Sequence, residues 1–153
     1  MNTSRSIQVY KSWLILVLGL VAVSLVLFSI VGQLLLQPDQ PAHIQGVITL
    51  FNSAAEGNLP TYYSSFLLLF SAMLLSFITL NERTSKSKYF PHWAFLTLGF
   101  VYLSMDEMLV LHESISSFIR AVTDYSGDGV LKSPWVILGT FAVAVVFLMF
   151  IKF

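Results

Sequence analysis

Cysteine is absent from the 153 residues. That excludes disulfides, thiolate metal sites, iron–sulfur clusters and a cysteine nucleophile. Charge is almost as scarce, with Asp, Glu, Lys and Arg together at 10%, against about 25% in an average soluble domain. So few charges cannot cover the surface of a water-soluble fold. The eight cations and eight acids cancel and no basic block exists, which excludes a nucleic-acid binder. A hydrophobic content of 56% excludes a disordered chain. Internal repeats and low-complexity tracts are missing too. What remains is apolar sequence, with a mean hydropathy of +0.79, as in an integral membrane protein.

Four apolar runs, residues 13–36, 60–80, 93–111 and 134–153, come near the ~20 residues that carry an α-helix across ~30 Å of hydrocarbon. Their periodicity is helical, and no set of alternating ten-residue strands argues for a β-barrel. The expectation is an all-α polytopic transmembrane helical bundle with four spans, one domain over residues 1–153. Arg5 and Lys11 precede the first run as in a signal peptide. The run is longer than the usual ~7–15 residues and no small-x-small site closes it, so a retained anchor is expected.

Loop charges orient the bundle. Arg5, Lys11, Arg83, Lys86, Lys88 and Lys152 fall on one side, and Arg120 and Lys132 on the other. Both termini and the loop 81–92 are therefore expected in the cytoplasm. Of the acids, Glu82 alone lies on that side. Asp39, Glu56, Asp106, Glu107, Glu113, Asp124 and Asp128 lie on or toward the outer side, which locates the polar chemistry there. Trp13, Trp93 and Trp135 sit near span ends, as interfacial anchors do. The first outer connection opens with Gln37-Pro38-Asp39-Gln40-Pro41, a non-helical start, and its Ile48, Leu50 and Phe51 suit a short interfacial turn. In the second, Ile115, Phe118, Ile119 and Val122 repeat at helical spacing. The third helix is thus expected to continue outward until a turn cluster at 124–129. The fourth run stops at Phe153 with one lysine and no polar tail, which fits either a natural end or the N-terminal part of a longer protein.

Two helix faces stand out. Thr61, Ser65, Ala72, Ser76 and Thr79 fall within roughly 60° of one another, a small-residue seam for close packing in lipid. On the third helix, Phe95, Gly99, Tyr102, Asp106, Leu109 and Glu113 stay within about 80°, with Gly99 expected to admit a neighbouring helix. Asp106 and Glu113 are roughly 10 Å apart along the axis, too far to share one proton. Glu107 and His112 point about 100° to either flank, giving a polar band rather than a preformed pocket. With a span starting at Trp93, Asp106 lies about 20 Å in, where an unpaired carboxylate costs about 3 kcal/mol. With a start near Tyr89 it approaches the interface and the penalty shrinks.

Two motifs carry the candidate chemistry. The first is Glu56-Gly57-Asn58-Leu59-Pro60-Thr61-Tyr62-Tyr63-Ser64-Ser65, entering the second span. Asn58 suits an N-cap and Pro60 the first turn, and Glu56 sits near the positive helix end. The second is Asp106-Glu107 followed by His112-Glu113. In one reading these acids bond to Tyr62, Tyr63, Ser64 or Ser65 and lock the helices. In the other, Glu56, Asp106, Glu107, His112 and Glu113, with His43 as a further candidate, bind a cation or relay protons. Oxygen and imidazole donors would suit a divalent Zn, Mn or Fe ion, although neither HExxH nor Glu-x-x-His is present. The differing depths of His43, His92 and His112 argue against a bis-histidine haem and a three-histidine zinc site. A triad of Ser64 or Ser65 with His112 and Asp106 lacks a nucleophile elbow.

Together these motifs, E-x-N-x-P-T-x-x-S-S at 56–65 and then Tyr102-Leu103-Ser104-Met105-Asp106-Glu107 and His112-Glu113, resemble a group of uncharacterised bacterial polytopic membrane proteins, mainly cyanobacterial. The resemblance spans about residues 51–113. It implies that Glu56, Asn58, Pro60, Asp106, Glu107, His112 and Glu113 belong to one unit, and it supplies no reaction. Members of the group are longer, with further helices.

The leading expectation is a binding or transport-type membrane protein with an acidic and histidine-containing cluster on the extracytoplasmic side. The cluster takes a cation or proton, while Asn58 and Pro60 cap and Ser65, Ser76 and Gly99 pack. The alternatives are a non-catalytic accessory subunit of a larger membrane complex and a membrane-embedded metal-dependent hydrolase. Expected partners are the lipid bilayer and other membrane subunits or a second copy of the chain. The expected location is multi-pass, in a bacterial inner, plasma or thylakoid membrane.

Overall fold

The structure is a computed structural model that describes residues 3–37, 39–123 and 133–151, with side chains from Tyr10 onward. Among these residues there are six helices and no strand: α1 (Thr3–Leu35), α2 (Ala42–Leu50), α3 (Leu59–Thr84), α4 (Phe90–Leu109), α5 (Leu111–Thr123) and α6 (Pro134–Phe150). The turn cluster expected at 124–129, Lys132 and Lys152 lie outside the described residues.

Two stretches are long and apolar enough to cross a membrane, Tyr10–Leu35 and Leu59–Thr84, each of 26 residues, with mean hydropathies of 3.1 and 1.9. The third expected span is not a single straight helix: α4 and α5 qualify only as a pair bent by 79°. α6 is apolar but has 17 residues. The described residues are thus all-helical in their regular structure, with two or three candidate spans among them.

The chain divides into two compact units, Met1–Tyr63 and Ser64–Phe153. In the first, α1 turns most of its large apolar side chains outward, an arrangement lipid accepts because its tails are as apolar as leucine. The polar residues at the end of α1 hold the connection that follows. Ser29 is buried, and its hydroxyl lies 2.9 Å from that of Ser53 and accepts the Ser53 N–H at 3.0 Å. Gln33 donates to Asn52 Oδ1 at 2.8 Å. The expected interfacial turn near Ile48 is the helix α2. It lies on α1 where Gly32 leaves room, since a Cβ there would stand 3.1 Å from Ile48 Cγ2. Phe51 closes α2 and packs on Phe28 with ring centroids 5.3 Å apart.

Asn58 then starts α3. Its Oδ1 accepts the Thr61 N–H and the Thr61 hydroxyl, both at 3.1 Å, and its Nδ2 donates to Asn52 O at 2.6 Å and Ala55 O at 2.7 Å. The chain reaches this position through Gly57 at φ +70°, a left-handed conformation that glycine adopts without a Cβ clash. Tyr63 in the first turns of α3 donates to Leu18 O at 2.5 Å.

In the second unit, α3 and α4 are joined by a reciprocal serine clasp. Ser65 donates to Ser104 O at 2.8 Å, Ser104 donates to Ser65 O at 2.9 Å, and the two hydroxyls lie 3.0 Å apart. Both serines are buried, as is Ala72 two turns on, and the Thr79 and Thr97 hydroxyls meet at 2.9 Å. Ser76 instead turns its hydroxyl back to Met73 O at 2.6 Å. Gly99 does not serve the close approach expected of it, for no atom lies within 4 Å of where its Cβ would stand. α4 begins at Phe90 with Pro91 in its first turn, the earlier of the two starts considered. Its 20 residues rise about 30 Å, which places Asp106 in the last turn.

Candidate functional site

The expected outward continuation of α4 fails at Val110. This residue takes φ 55° and ψ 41°, and its N–H bonds to Asp106 O at 2.8 Å. A left-handed conformation is strained for a β-branched residue. Here it reverses the backbone once, so that α5 leaves α4 at 79°. The Asp106 side chain occupies the inside of the corner. Its Oδ1 accepts the backbone N–H of His112 at 2.8 Å, and its Oδ2 lies 3.1 Å from His112 Nδ1. His112 is the second residue of α5, so the carboxylate satisfies one of the orphan donors at that helix start and faces the positive end of its dipole.

The pair is largely enclosed, the side chains of Asp106 and His112 being 11% and 25% exposed. This answers the cost of enclosing Asp106: two N–H donors and a helix end meet the carboxyl group. The bonding also orders the imidazole. A carboxylate whose two oxygens both accept takes the proton of Nδ1, which leaves the lone pair of a neutral ring on Nε2. Carboxylate–imidazole pairs of this kind fix tautomer and orientation in metal and proton sites. Trp135 of α6 packs on the ring at 5.8 Å between centroids, tilted by 36°. His112 and Glu113 together border a cleft of about 480 Å³ with Ser116, Ser117, Arg120 and Ser133.

The candidates from the sequence fall in both units. Asp106 and His112 meet directly. Glu113 is exposed at the third position of α5, on the same cleft as His112. Glu107 is half-buried on α4, about 100° around the helix from Asp106. Glu56 is exposed in the connection before α3, and His43 is exposed on α2, both in the first unit. Asp106 bonds to His112, not to the tyrosines and serines of the second span proposed as its partners. Tyr63 and Ser65 bond elsewhere, to Leu18 O and Ser104. His92 stands in the first turn of α4, at the end away from α5, its ring edge-on to Phe150 at 5.5 Å.

Three contributors were not legible in sequence. Val110 makes the corner, yet no glycine or proline marks the break. Ser116 is buried against Ser133, hydroxyl to hydroxyl at 3.0 Å, and accepts the Trp135 N–H at 3.3 Å. Trp135 carried a signal only as an anchor. The one available hint was spacing: positions 106 and 112 fall about 120° apart on a continuous helix, so a contact between them requires a break.

The class these features define is an all-helical protein built on helices apolar enough to cross a membrane, with a polar corner where one of them breaks. Residues 12–153 match the family model described as "Domain of unknown function (DUF8692)", and the chain belongs to that family. No curated protein and no solved structure matches the chain.

Proposed function

We propose that this is a multi-pass membrane protein of the binding or transport type, in which the Asp106–His112 corner takes up a cation or a proton at the extracytoplasmic boundary. In this reading α1, α3, α4 and α6 cross the membrane and both termini are cytoplasmic. Three observations support it. Arg83, Lys86 and Lys88 cluster at the α3–α4 connection, on the side the positive-inside rule assigns to the cytoplasm. The 20 residues of α4 rise about 30 Å, near the hydrocarbon thickness, and end beside the corner. The 17 residues of α6 rise about 25 Å, a mismatch of a few ångströms that bilayers accommodate by local thinning. The resemblance to bacterial polytopic proteins points to the same kind of membrane.

The observation that carries the function is the bond between Asp106 Oδ2 and His112 Nδ1, with Oδ1 held by the His112 N–H. It leaves Nε2 as the acceptor, next in sequence to the Glu113 carboxylate. A divalent metal would find an imidazole and a carboxylate there, and a proton would find an imidazole of fixed orientation.

Elemental analysis of protein purified without chelator, set beside His112→Gln, tests the reading. A stoichiometric metal in the wild type that the variant lacks supports a metal. If neither holds metal, the pH dependence of the His112 ring resonances tests the proton reading. A ring that holds no metal and does not titrate refutes the reading.

A second reading, an accessory subunit of a larger membrane assembly, is favoured by one feature. Between α3 and α4 runs an apolar groove of about 430 Å³ lined by Phe66, Leu69, Ala72, Met73, Thr97 and Val101 among others, a surface that an apolar partner would cover. Native mass spectrometry after mild solubilisation decides it: a defined heteromer supports this reading and a lone chain opposes it.

A further inference from the structure

The cleft beside the corner carries both signs of charge. Glu113 stands in the first turn of α5 and Arg120 in the last, seven residues and therefore about 10 Å apart along the axis, and only about 20° apart around it. Ser116 and Ser117 lie between them, and Ser133 closes the far wall. The opposite side of α5 is apolar. Phe118 and Val122 there are 68% and 67% exposed, with Ile115 and Ile119 beside them. A helix divided in this way lies in a membrane–water interface with its apolar side toward the acyl chains. The 79° bend from α4 turns α5 across the direction of the span, as that placement requires. Trp135, which packs on His112, is a residue of the same boundary. The polar side of α5 then opens to the headgroup layer.

We propose that this cleft binds a phosphate–ammonium zwitterion, the headgroup of an aminophospholipid. The phosphate meets Arg120 and the hydroxyl of Ser133, and the primary ammonium meets Glu113. Guanidinium and hydroxyl donors suit phosphate oxygens, and a carboxylate accepts from an ammonium that has N–H to give. A lone phosphate would leave Glu113 facing an anion. A trimethylammonium headgroup has no N–H to donate, and a glycerol headgroup brings no cation. The inference rests on the reading that the His112–Glu113 end of the cleft takes positive charge, and it assigns that charge to an ammonium.

The test is native mass spectrometry of the full chain from bilayers holding equimolar ethanolamine, choline and glycerol phospholipids with identical acyl chains. The wild type should retain the ethanolamine lipid over the choline lipid by about threefold or more, the ratio one exposed ion pair sustains. Glu113→Gln should bring the two to parity. Arg120→Gln should lower retention of all three, and Arg120→Lys should restore much of it. Soluble glycerophosphoethanolamine distinguishes the source: displacement at millimolar concentration means the headgroup chemistry suffices, and no displacement means the ligand is the lipid itself. Parity in the wild type, or a preference that survives both charge-removing variants, overturns the proposal. A metal on His112 found together with parity sinks the lipid assignment and leaves the cation reading standing. A ring that takes neither metal nor proton, found together with parity, removes both.

Discussion

Asp106→Ala removes both acceptors from the corner at once, and the structure sets the scale of the loss. The His112 N–H is left as an orphan donor at a helix start, which costs about 1–3 kcal/mol. The bond to the imidazole is worth about 1.5–3 kcal/mol when fully buried, because one partner is charged. The His112 side chain is 25% exposed, so water replaces part of it and about half that figure applies. The carboxylate's interaction with the α5 dipole adds about 0.5 kcal/mol. Together these give about 3 kcal/mol for Asp106→Ala, a large share of the ~5–15 kcal/mol that holds a typical domain together. Asp106→Asn keeps an oxygen for the His112 N–H, and its amide donates to Nδ1 once the ring proton moves to Nε2. It should therefore lose only about 1 kcal/mol. Unfolding of detergent-solubilised protein, followed by helical circular dichroism, measures both. Equal stability of wild type and Asp106→Ala, within about 0.5 kcal/mol, would refute the claim that this carboxyl group braces the corner.

Other sites give equally definite outcomes. Ser65→Ala and Ser104→Ala should each cost about 1 kcal/mol, as interhelical hydrogen bonds in membranes do. Their double mutant should lose less than the sum, because the two hydroxyls share one clasp; a strictly additive cycle would contradict the reciprocal geometry. Asn58→Ala removes an N-cap and leaves two backbone carbonyls short of a donor, for about 2–3 kcal/mol. Asn58→Asp keeps the cap but not the donors and should fall between, as chemical unfolding would show. Val110→Gly relieves a left-handed valine worth about 1–2 kcal/mol while adding glycine's entropy cost of about 0.5–1 kcal/mol, so stability should be unchanged or slightly raised. Val110→Pro fixes φ near −65° against the 55° observed and deletes the N–H that bonds to Asp106 O, so it should disrupt the corner.

Much of this was legible because lipid imposes simple rules. The apolar runs of α1 and α3 announce helices by length alone. Asn58 and Pro60 announce a helix start by chemistry that acts locally. The serines of α3 marked a seam because small residues at one angle let helices meet. The corner was hidden because its cause is not local. Nothing in Glu107-Met108-Leu109-Val110-Leu111 disfavours a helix, so the periodic apolar residues of α5 extend the pattern of α4 without a visible stop. The break depends on Asp106 reaching across it to His112 and on Ser116 docking against Ser133. Both are tertiary contacts whose partners are six and seventeen residues apart. Gly99 failed for the opposite reason: a small residue permits a close approach without supplying the helix that makes it.

The central claim is that Asp106 holds the neutral His112 ring in the Nδ1–H tautomer. The ¹⁵N spectrum of ring-labelled His112 in lipid nanodiscs, wild type beside Asp106→Asn, reads this directly. The account predicts the Nδ1–H tautomer for the neutral wild-type ring and the Nε2–H tautomer in the variant. A neutral wild-type ring protonated on Nε2, or a tautomer indifferent to the substitution, would contradict it.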